Sequence, residues 1–235
     1  MLFPLNNSQE TETPPLIFIP PVIGSATIYK QLAEQLEEQY ACYGMQYKGF
    51  DGGEFAASVE EMADTFVQQL LEKVPAEEYM LMGYSMGALI AYETARQLET
   101  AGKIVTLLLL DKEAPAHTTG IKILPADDIL EQRFVRELRS WGLSDGELPQ
   151  EAHLKKMYRS SCNIMYAYQP AGKIKGDIVA FEADGRDAPL MENWQLFTTG
   201  SFDYHRLQGD HYSIIKDTRL PAYLFQLGYS RSFIH

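Results

Sequence analysis

The order of predicted strands and helices along the chain indicates an α/β fold with a mostly parallel central sheet. Over the first 111 residues, short apolar runs that fit buried strands alternate with segments whose apolar residues recur at helical spacing. Alternation of this kind usually places parallel strands between helices on both faces of the sheet. The chain has 235 residues, and we therefore predict a single domain over residues 1–235.

The composition is that of a globular protein and disfavours several partners. Apolar residues make up 46% and charged residues 22% of the chain, and its net charge is −12. So acidic a chain is a poor candidate for binding nucleic acid or an anionic membrane. No apolar run approaches the length of a transmembrane helix and no basic leader is present, so we expect a cytoplasmic protein. Cys42 and Cys162 are expected to be free thiols.

The first elements are two strands and the helix between them. Residues 1–14 are polar and irregular, which predicts a linker or frayed end. The run 16–19 ends at Pro20-Pro21 and predicts the first buried strand. Residues 28–36 have apolar side chains at helical spacing, and residues 40–47 predict the second strand.

The next elements continue the alternation. Residues 58–61, Ser-Val-Glu-Glu, fit a capping box, and a helical apolar face continues to residue 74. A strand is predicted at 79–82 and a helix at 86–101. Gly102 directly after it is the residue expected to stop this helix. Residues 105–110 predict the fourth strand.

The pattern changes after residue 111. Residues 112–171 contain two helical segments and no clear strand, which predicts a helical lid insertion over a site. The alternative is a pair of ordinary crossover helices. Strands are predicted again at 178–181 and 202–207, and a last helix at 220–227.

The segment Gly83-Tyr84-Ser85-Met86-Gly87 has the Gly-x-Ser-x-Gly spacing of a nucleophile elbow. Such a turn joins a strand to a helix so tightly that the serine is strained and its hydroxyl stands clear of the backbone. A predicted strand precedes it and a predicted helix follows, as the motif requires. We therefore predict that Ser85 is a nucleophile. The alternative is a serine that merely caps the helix.

Two backbone N–H groups are candidates for an oxyanion hole. The N–H of Met86 lies at the start of the helix after Ser85, where the helix dipole favours negative charge. The second donor should come from the loop after the first strand. Pro20 and Pro21 have no N–H, so Val22 is the first residue there that can donate.

Of the five histidines, His211 best fits a general base. It follows a late strand in the segment 209–213, Gly-Asp-His-Tyr-Ser, where this type of fold places the base. His205 is predicted to lie within the preceding strand as a packing or surface residue. The others lie in the predicted insertion or at the chain end: His117, His153 and His235.

Spacing along the sequence does not decide which aspartate is the acid that pairs with the histidine. Asp111 ends the strand that follows the elbow helix, and Asp184 and Asp187 follow the next strand. Both positions lie at the carboxyl edge of the sheet, where a carboxylate can face the histidine.

These motifs together resemble the thioesterase domains that terminate nonribosomal peptide synthetases, of the surfactin and fengycin type, within the α/β-hydrolase superfamily. The resemblance runs from about Leu16 through nearly the whole chain, and it implies that Asp111 is the triad acid and that Val22 and Met86 donate to the oxyanion. One departure from the family pattern is the loop after the first strand, whose sequence matches that of only a subset of family members. The segments that carry the resemblance are 18–24, 83–87, 110–112, 172–178 and 209–211.

The resemblance implies a thioesterase that releases an acyl or peptidyl chain from a phosphopantetheine arm, by hydrolysis or macrocyclisation, in nonribosomal peptide or hybrid polyketide biosynthesis. It implies a peptidyl or acyl carrier as partner and neither cofactor nor metal. The chain would be an excised domain or a free-standing enzyme. Alternatives are a type II editing thioesterase, a general carboxylesterase and a hydrolase-fold binding protein with an inactive site.

A carrier partner raises a question of charge, because carrier proteins are typically acidic too. Lys155, Lys156 and Arg159 in the insertion are one candidate docking patch, and a solvated helix face is the simpler interpretation. Tyrosines of the insertion could line an acyl pocket, although core packing is commoner for such residues. Three of them are Tyr158, Tyr166 and Tyr168.

Overall fold

The structure is a computed structural model, and the description covers residues 1–8, 11–115, 124–142, 150–185 and 189–232. For residues 229–232 it covers the backbone alone. The positions of His117, Asp187 and His235 lie outside the described residues.

Within the described residues, seven strands form one sheet in the order β1-β3-β2-β4-β5-β6-β7. Only β1 runs antiparallel to its neighbour, β3, and every other pairing in the sheet is parallel. The predicted α/β architecture is therefore confirmed. The strands are β1 Leu2–Pro4, β2 Leu16–Ile19, β3 Cys42–Met45, β4 Glu78–Tyr84, β5 Ile104–Leu110, β6 Ile178–Ala183 and β7 Phe202–Leu207.

Helices cover both faces of the sheet. One apolar cluster joins the sheet to α1 and α6, and a second joins the opposite face to α2 and α3 and to the helices α4 and α5 of the 112–171 segment. The helices are α1 Lys30–Gln35, α2 Val59–Lys73, α3 Met86–Thr100, α4 Asp127–Ser140, α5 Glu151–Ala167 and α6 Arg219–Ser232. Short 3-10 helices occupy Ala26–Tyr29, Glu192–Phe197 and Ile214–Lys216.

The amino terminus differs from the sequence expectation. Residues 1–14 were expected to be a linker or frayed end, but Leu2–Pro4 pairs with β3 and Leu5 is buried. The Asn6 amide donates to the carbonyls of Ala33 and Tyr40 and ties this segment down. A three-residue strand carries no periodic signal, and its partner strand lies some forty residues away in sequence, so local patterning misses it.

Other boundaries differ less. The second predicted strand, 40–47, shortens to Cys42–Met45, and the first predicted helix begins as the 3-10 turn Ala26–Tyr29. The predicted cap of α2 is present, since the Ser58 hydroxyl accepts from the Glu61 N–H. The Glu61 carboxylate instead accepts from the Ala57 N–H, one residue before the usual capping-box partner.

The 112–171 segment contains α4 and α5 as the sequence predicts, and no strand lies in its described part. Ion pairs join the two helices: Lys155 contacts Glu131 at 3.1 Å, and Arg159 pairs with Asp127. The action of this segment as a lid stays a prediction.

Tyr29 is a fully buried residue that links three parts of the fold. Its hydroxyl donates to the carbonyl of Ile19 at 2.9 Å and accepts from the N–H of Tyr84 at 3.0 Å. Its ring packs on Phe18 with centroids 4.6 Å apart. The hydroxyl therefore holds the carboxyl ends of β2 and β4 beside each other.

We predict that Tyr29→Phe lowers the free energy of unfolding by about 1–3 kcal/mol, because it leaves a buried carbonyl and a buried N–H without their partner. Urea denaturation measures this change. Tyr43→Phe is the control, since in the described residues the hydroxyl of the half-buried Tyr43 makes no hydrogen bond. Equal losses in the two variants would contradict the structural role of the Tyr29 hydroxyl.

Candidate active site

Ser85 lies at the tight turn between β4 and α3, and its backbone is strained. Its φ is 54° and its ψ is −127°, a region that residues other than glycine rarely adopt. The Ser85 N–H donates to the Leu110 carbonyl at 3.0 Å, and the Ser85 carbonyl accepts from Ala88 at 3.0 Å. The backbone on both sides is thus fixed, and the side chain is only partly buried.

The two motif glycines are required by close backbone approach. A Cβ added to Gly83 would lie 2.3 Å from the Gly87 carbonyl oxygen. A Cβ added to Gly87 would lie 2.5 Å from the Ile19 carbonyl oxygen and 2.6 Å from that of Pro20. The start of α3 therefore packs directly on β4 and on the end of β2, as the motif predicts.

Three side chains from separate elements meet in one hydrogen-bonded chain. Nε2 of His211 lies 3.1 Å from the Ser85 hydroxyl oxygen, and Nδ1 lies 2.6 Å from Oδ2 of Asp111. Because an ionised carboxylate can only accept, Nδ1 carries the proton when Asp111 is ionised and His211 is neutral. Nε2 is then free to accept from the Ser85 hydroxyl.

Asp111 is buried and its carboxylate is held from a second direction. Its Oδ1 accepts from the Ala183 N–H at 3.0 Å, and its own N–H donates to the Phe181 carbonyl at 2.8 Å. Its φ of 48° turns the chain sharply at the end of β5. The side chain is fully inaccessible to solvent, whereas that of His211 is 28% exposed.

Asp184, the other acid weighed from spacing, supports the histidine loop instead. Its Oδ1 accepts from the Gly209 N–H at 3.0 Å, and its own N–H donates to the Leu207 carbonyl at 2.8 Å. The carboxylate therefore contacts the backbone two residues before His211, while Asp111 contacts the imidazole.

The two residues predicted to supply oxyanion donors are both buried. Val22 is 5% exposed and Met86 is fully buried. In the described part of the chain, neither backbone N–H donates a hydrogen bond. Tyr47 fixes the loop by donating its hydroxyl to the Pro20 carbonyl at 2.8 Å. Met157 of α5 packs against Gly24 at the end of that loop.

Two residues that position His211 were not predicted from the sequence. The Tyr84 ring lies 5.1 Å from the imidazole, and its hydroxyl donates to the His211 carbonyl. The Asp210 carboxylate accepts from the N–H groups of Tyr212 and Ser213 and from the Ser213 hydroxyl. That hydroxyl contact and the N–H donors lower the pKa of Asp210. Aspartate side chains often accept from the backbone N–H groups that follow them in a turn. The aspartate directly before His211 was therefore a signal for this turn in the sequence.

Three other residues considered from the sequence, one histidine and two tyrosines, make packing or hydrogen-bond contacts within the fold. His205 lies within β7, as predicted, and packs between Phe181 and Tyr223. Tyr168 is buried and donates to Glu93 of α3, and Tyr158 is buried against Phe134.

The candidate docking patch is partly occupied by ion pairs within the protein. Lys155 also contacts Glu151, and Arg159 pairs with Asp127, so both cations are shared with α4 and α5 carboxylates. Lys156 is exposed. These pairs weaken the case for a free basic patch and favour the solvated helix face.

A small cavity of about 140 Å³ lies near the elbow helix. Leu89 of α3 and Met165 and Tyr166 of α5 line it, together with Lys112, which directly follows Asp111. Among the described residues, no cluster of three or more His, Cys, Asp or Glu could hold a metal ion, and no helix is long and apolar enough to cross a membrane.

The fold and this arrangement of serine, histidine and aspartate define an α/β-hydrolase-type protein. The Thioesterase domain family model matches residues 14–226, and the chain belongs to that family.

Comparison with known proteins agrees with this family. The chain is 25% identical over 259 aligned positions to a dimodular nonribosomal peptide synthase of Bacillus subtilis (strain 168), an alignment that covers 97% of this chain and 10% of the synthase. The chain spans 4%, 10% and 3% of the length of the three curated relatives that lead the comparison.

Solved structures share the fold over almost the whole chain. The thioesterase domain that cyclises the lipopeptide surfactin superposes with a TM-score of 0.74 at 21% identity, over 96% of this chain and 94% of that one. The type II thioesterase BorB from the borrelidin cluster gives 0.74 at 24% identity, over 97% of both chains. At these identities the likeness establishes the fold.

We predict that neither cysteine reacts readily with alkylating reagents while the protein is folded. Both thiols are buried, and burial raises the pKa of Cys42 to about 12 and that of Cys162 to about 11. Because the thiolate is the reactive form, iodoacetamide at pH 8 should label the native protein far more slowly than the urea-unfolded protein. Intact-protein mass spectrometry measures the labelling. Native labelling at the unfolded rate would contradict this prediction.

Proposed function

We propose that this protein is a serine thioesterase that releases an acyl or peptidyl chain from a phosphopantetheine arm through a covalent Ser85 intermediate. The observation that carries the proposal is the continuous chain of hydrogen bonds from Asp111 through His211 to Ser85. The proposal adds the N–H groups of Val22 and Met86 as oxyanion donors, and within the described residues neither N–H donates a hydrogen bond to the protein itself. Membership of the thioesterase family supports the same chemistry.

In the first step the Ser85 hydroxyl oxygen attacks the thioester carbonyl carbon. Nε2 of His211 takes the hydroxyl proton, and Asp111 holds the imidazole in the required tautomer and stabilises the imidazolium. The negative charge that develops on the carbonyl oxygen is met by the N–H groups of Val22 and Met86. Each such donor is worth about 2.7–4 kcal/mol in a well-studied hydrolase.

The tetrahedral intermediate then collapses and the carbon–sulfur bond breaks. The departing thiolate receives the proton from the His211 imidazolium, and the acyl group remains as an ester on Ser85. In the second step His211 takes a proton from water, or from an amine or hydroxyl of the chain itself. That nucleophile attacks the ester, and its proton returns to the Ser85 oxygen as the acid or the cyclic product leaves.

The substrate and partner follow from the same proposal. The thioester arrives on the pantetheine arm of a peptidyl or acyl carrier in nonribosomal peptide or hybrid polyketide biosynthesis, a role supported by the synthases with which the chain aligns. The protein's own residues supply the nucleophile, base and acid, so the chemistry needs no added cofactor. A cytoplasmic location is part of the proposal.

We expect Ser85→Ala to abolish acyl-enzyme formation and to reduce turnover of pantetheine-linked acyl and peptidyl substrates by about six orders of magnitude, since it removes the nucleophile. Mass spectrometry of the protein and of its products measures both, and it separates linear from cyclic release. Ser201→Ala, at an exposed position directly before β7, is the control. A persisting adduct on Ser85→Ala would reject this nucleophile. Preference for short acetyl thioesters would indicate editing, and turnover of simple esters alone a carboxylesterase.

Asp111→Asn should lower kcat by about four orders of magnitude, because an amide at this position favours the wrong imidazole tautomer. Asp184→Asn should have a small effect, because its amide oxygen can still accept from the Gly209 N–H. Steady-state kinetics of the two variants compare the positions directly. The reverse ranking would transfer the acid role to Asp184.

A further inference from the structure

A cavity of about 370 Å³ lies between α1, the end of α4 and the segment that follows His211, and the proposed mechanism assigns it no role. Its volume is within the range that small-molecule sites in proteins occupy. We call this cavity the α1 groove. Six of the residues that line it are Leu32, Tyr84, Trp141, Tyr212, Ile215 and Lys216.

The α1 groove adjoins the proposed nucleophile and base. Tyr84 directly precedes Ser85, its hydroxyl donates to the His211 carbonyl, and its ring lies 5.1 Å from the imidazole. Tyr212 directly follows His211, and the centroids of these two rings are 5.4 Å apart. The side chain of Ser85 is only partly buried, and that of His211 is 28% exposed. A ligand in the groove therefore contacts the chain neighbours of two groups that are both open to solvent.

Large apolar side chains from separate elements form the floor of the α1 groove. Leu32 of α1 and Tyr84 of β4 are buried. Trp141 at the end of α4, together with Tyr212 and Ile215 of the segment after His211, is only half-buried. Adjacent apolar side chains that stay open to solvent in a concave place are typical of a ligand site.

The rim of the α1 groove is polar and carries one cation. Gln31 and Gln35 are four residues apart on α1, which places them on the same side of the helix, and both are exposed. A carboxamide both donates and accepts, so each of them can pair with an amide group of a ligand. Lys216 lies at the end of the 3-10 helix Ile214–Lys216 and is also exposed.

The charge of Lys216 is available to a ligand. Among the described residues Lys216 forms no ion pair, although Asp217 directly follows it. The Asp217 carboxylate is 3% exposed and is occupied by Arg219, at 2.6 Å, and by the Gln208 N–H. In a chain whose net charge is −12, an ammonium that no carboxylate neutralises at the rim of a groove favours an anionic group on the ligand.

We propose that the α1 groove holds the pantetheine arm on which the thioester arrives. The arm is an aliphatic chain with two amide groups, and it has a phosphodiester at the carrier end and the thioester at the other end. Its aliphatic parts lie on the apolar floor, its amides pair with Gln31 and Gln35, and its phosphate contacts Lys216. The thioester then reaches Ser85 past Tyr84. This inference rests on the function proposed above and adds to it the place where the arm is recognised.

The polar rim favours the arm over the acyl chain as the occupant of the α1 groove. A purely aliphatic chain would leave the two carboxamides and the ammonium without a ligand partner, whereas the arm has a complementary group for each of them. Recognition of the arm then lies on α1 and the segment after His211. It does not depend on α5, where Lys155 and Arg159 already pair with carboxylates of the protein.

The two tryptophans of the chain allow a direct test of binding. Trp141 lines the groove, whereas Trp194 is fully buried and its indole N–H donates to the Lys112 carbonyl at 2.7 Å. In an NMR titration, phosphopantetheine should shift the indole signal of Trp141 and leave that of Trp194 in place, and Trp141→Phe assigns the two signals. Movement of both signals or of neither would overturn the proposal. Octanoate, which mimics an acyl chain, should bind more weakly, and tighter binding of octanoate would assign the groove to the acyl chain instead.

Lys216→Gln tests the contact with the phosphate. Steady-state kinetics compare two thioesters of the same acid, one on phosphopantetheine and one on pantetheine, which lacks the phosphate. The native protein should have the lower KM for the phosphorylated substrate, and Lys216→Gln should reduce this preference about two- to fivefold, the size of an exposed ion pair. The change should appear in KM and not in kcat, because the phosphate is remote from the reacting atoms. Lys173→Gln, at an exposed position outside the groove, is the matched control. An unchanged preference in Lys216→Gln, or an equal loss in the control, would contradict the proposal.

A failure of the groove assignment can be separated from a failure of the proposed function, because the NMR titration needs no turnover. If the wild-type protein had no Ser85-dependent turnover, the function would be rejected, and the Trp141 signal would still decide whether the groove binds phosphopantetheine. If Ser85-dependent turnover were present and the Trp141 signal did not move, the thioesterase function would stand and the groove assignment would be refuted.

Discussion

The crowding where β4 meets α3 is the constraint on which the site depends. Gly83 and Gly87 leave no room for a Cβ, since the backbones of β4, α3 and the end of β2 are already in contact there. This close approach accompanies the strained conformation of Ser85 and also brings Pro20, where the loop after β2 begins, against the start of α3. The strain at Ser85 and the position of the loop that follows β2 are thus two results of one packing contact.

His211 is less firmly built into the core and is held by several separate contacts. The Tyr84 hydroxyl donates to the His211 carbonyl, and the Asp210 carboxylate accepts from the Ser213 N–H in the turn that follows. Before the histidine, the Asp184 carboxylate accepts from the Gly209 N–H. Asp111 then orients the ring from a fully buried position. The backbone around His211 is therefore held by side chains at the ends of β4 and β6 and in its own loop, and this redundancy suits the proposed general base, which stays partly exposed.

The sequence predicted those parts of the fold and site whose signals are local. Ser85 and His211 lie in short motifs with fixed glycines, and the order of strands and helices follows from apolar periodicity. Spacing alone left Asp111 and Asp184 equal, because both end strands at the same sheet edge; which carboxylate reaches the imidazole depends on the three-dimensional course of the two loops. The β1 strand depends on a partner strand that is distant in sequence, which no local pattern encodes.

The site residues are unequally distributed across the sheet. Ser85 and Asp111 follow the adjacent strands β4 and β5 in its interior, whereas His211 follows β7, an edge strand with a largely accessible face. Edge elements open at lower free-energy cost than central ones. A partial opening that released β7 and α6 would separate His211 from Ser85 and Asp111 while the turn at Ser85 stayed folded. The contact between His211 and Ser85 would then be lost on heating before the sheet unfolds, and it would re-form on cooling, because the central strands would remain as a template for the edge strand.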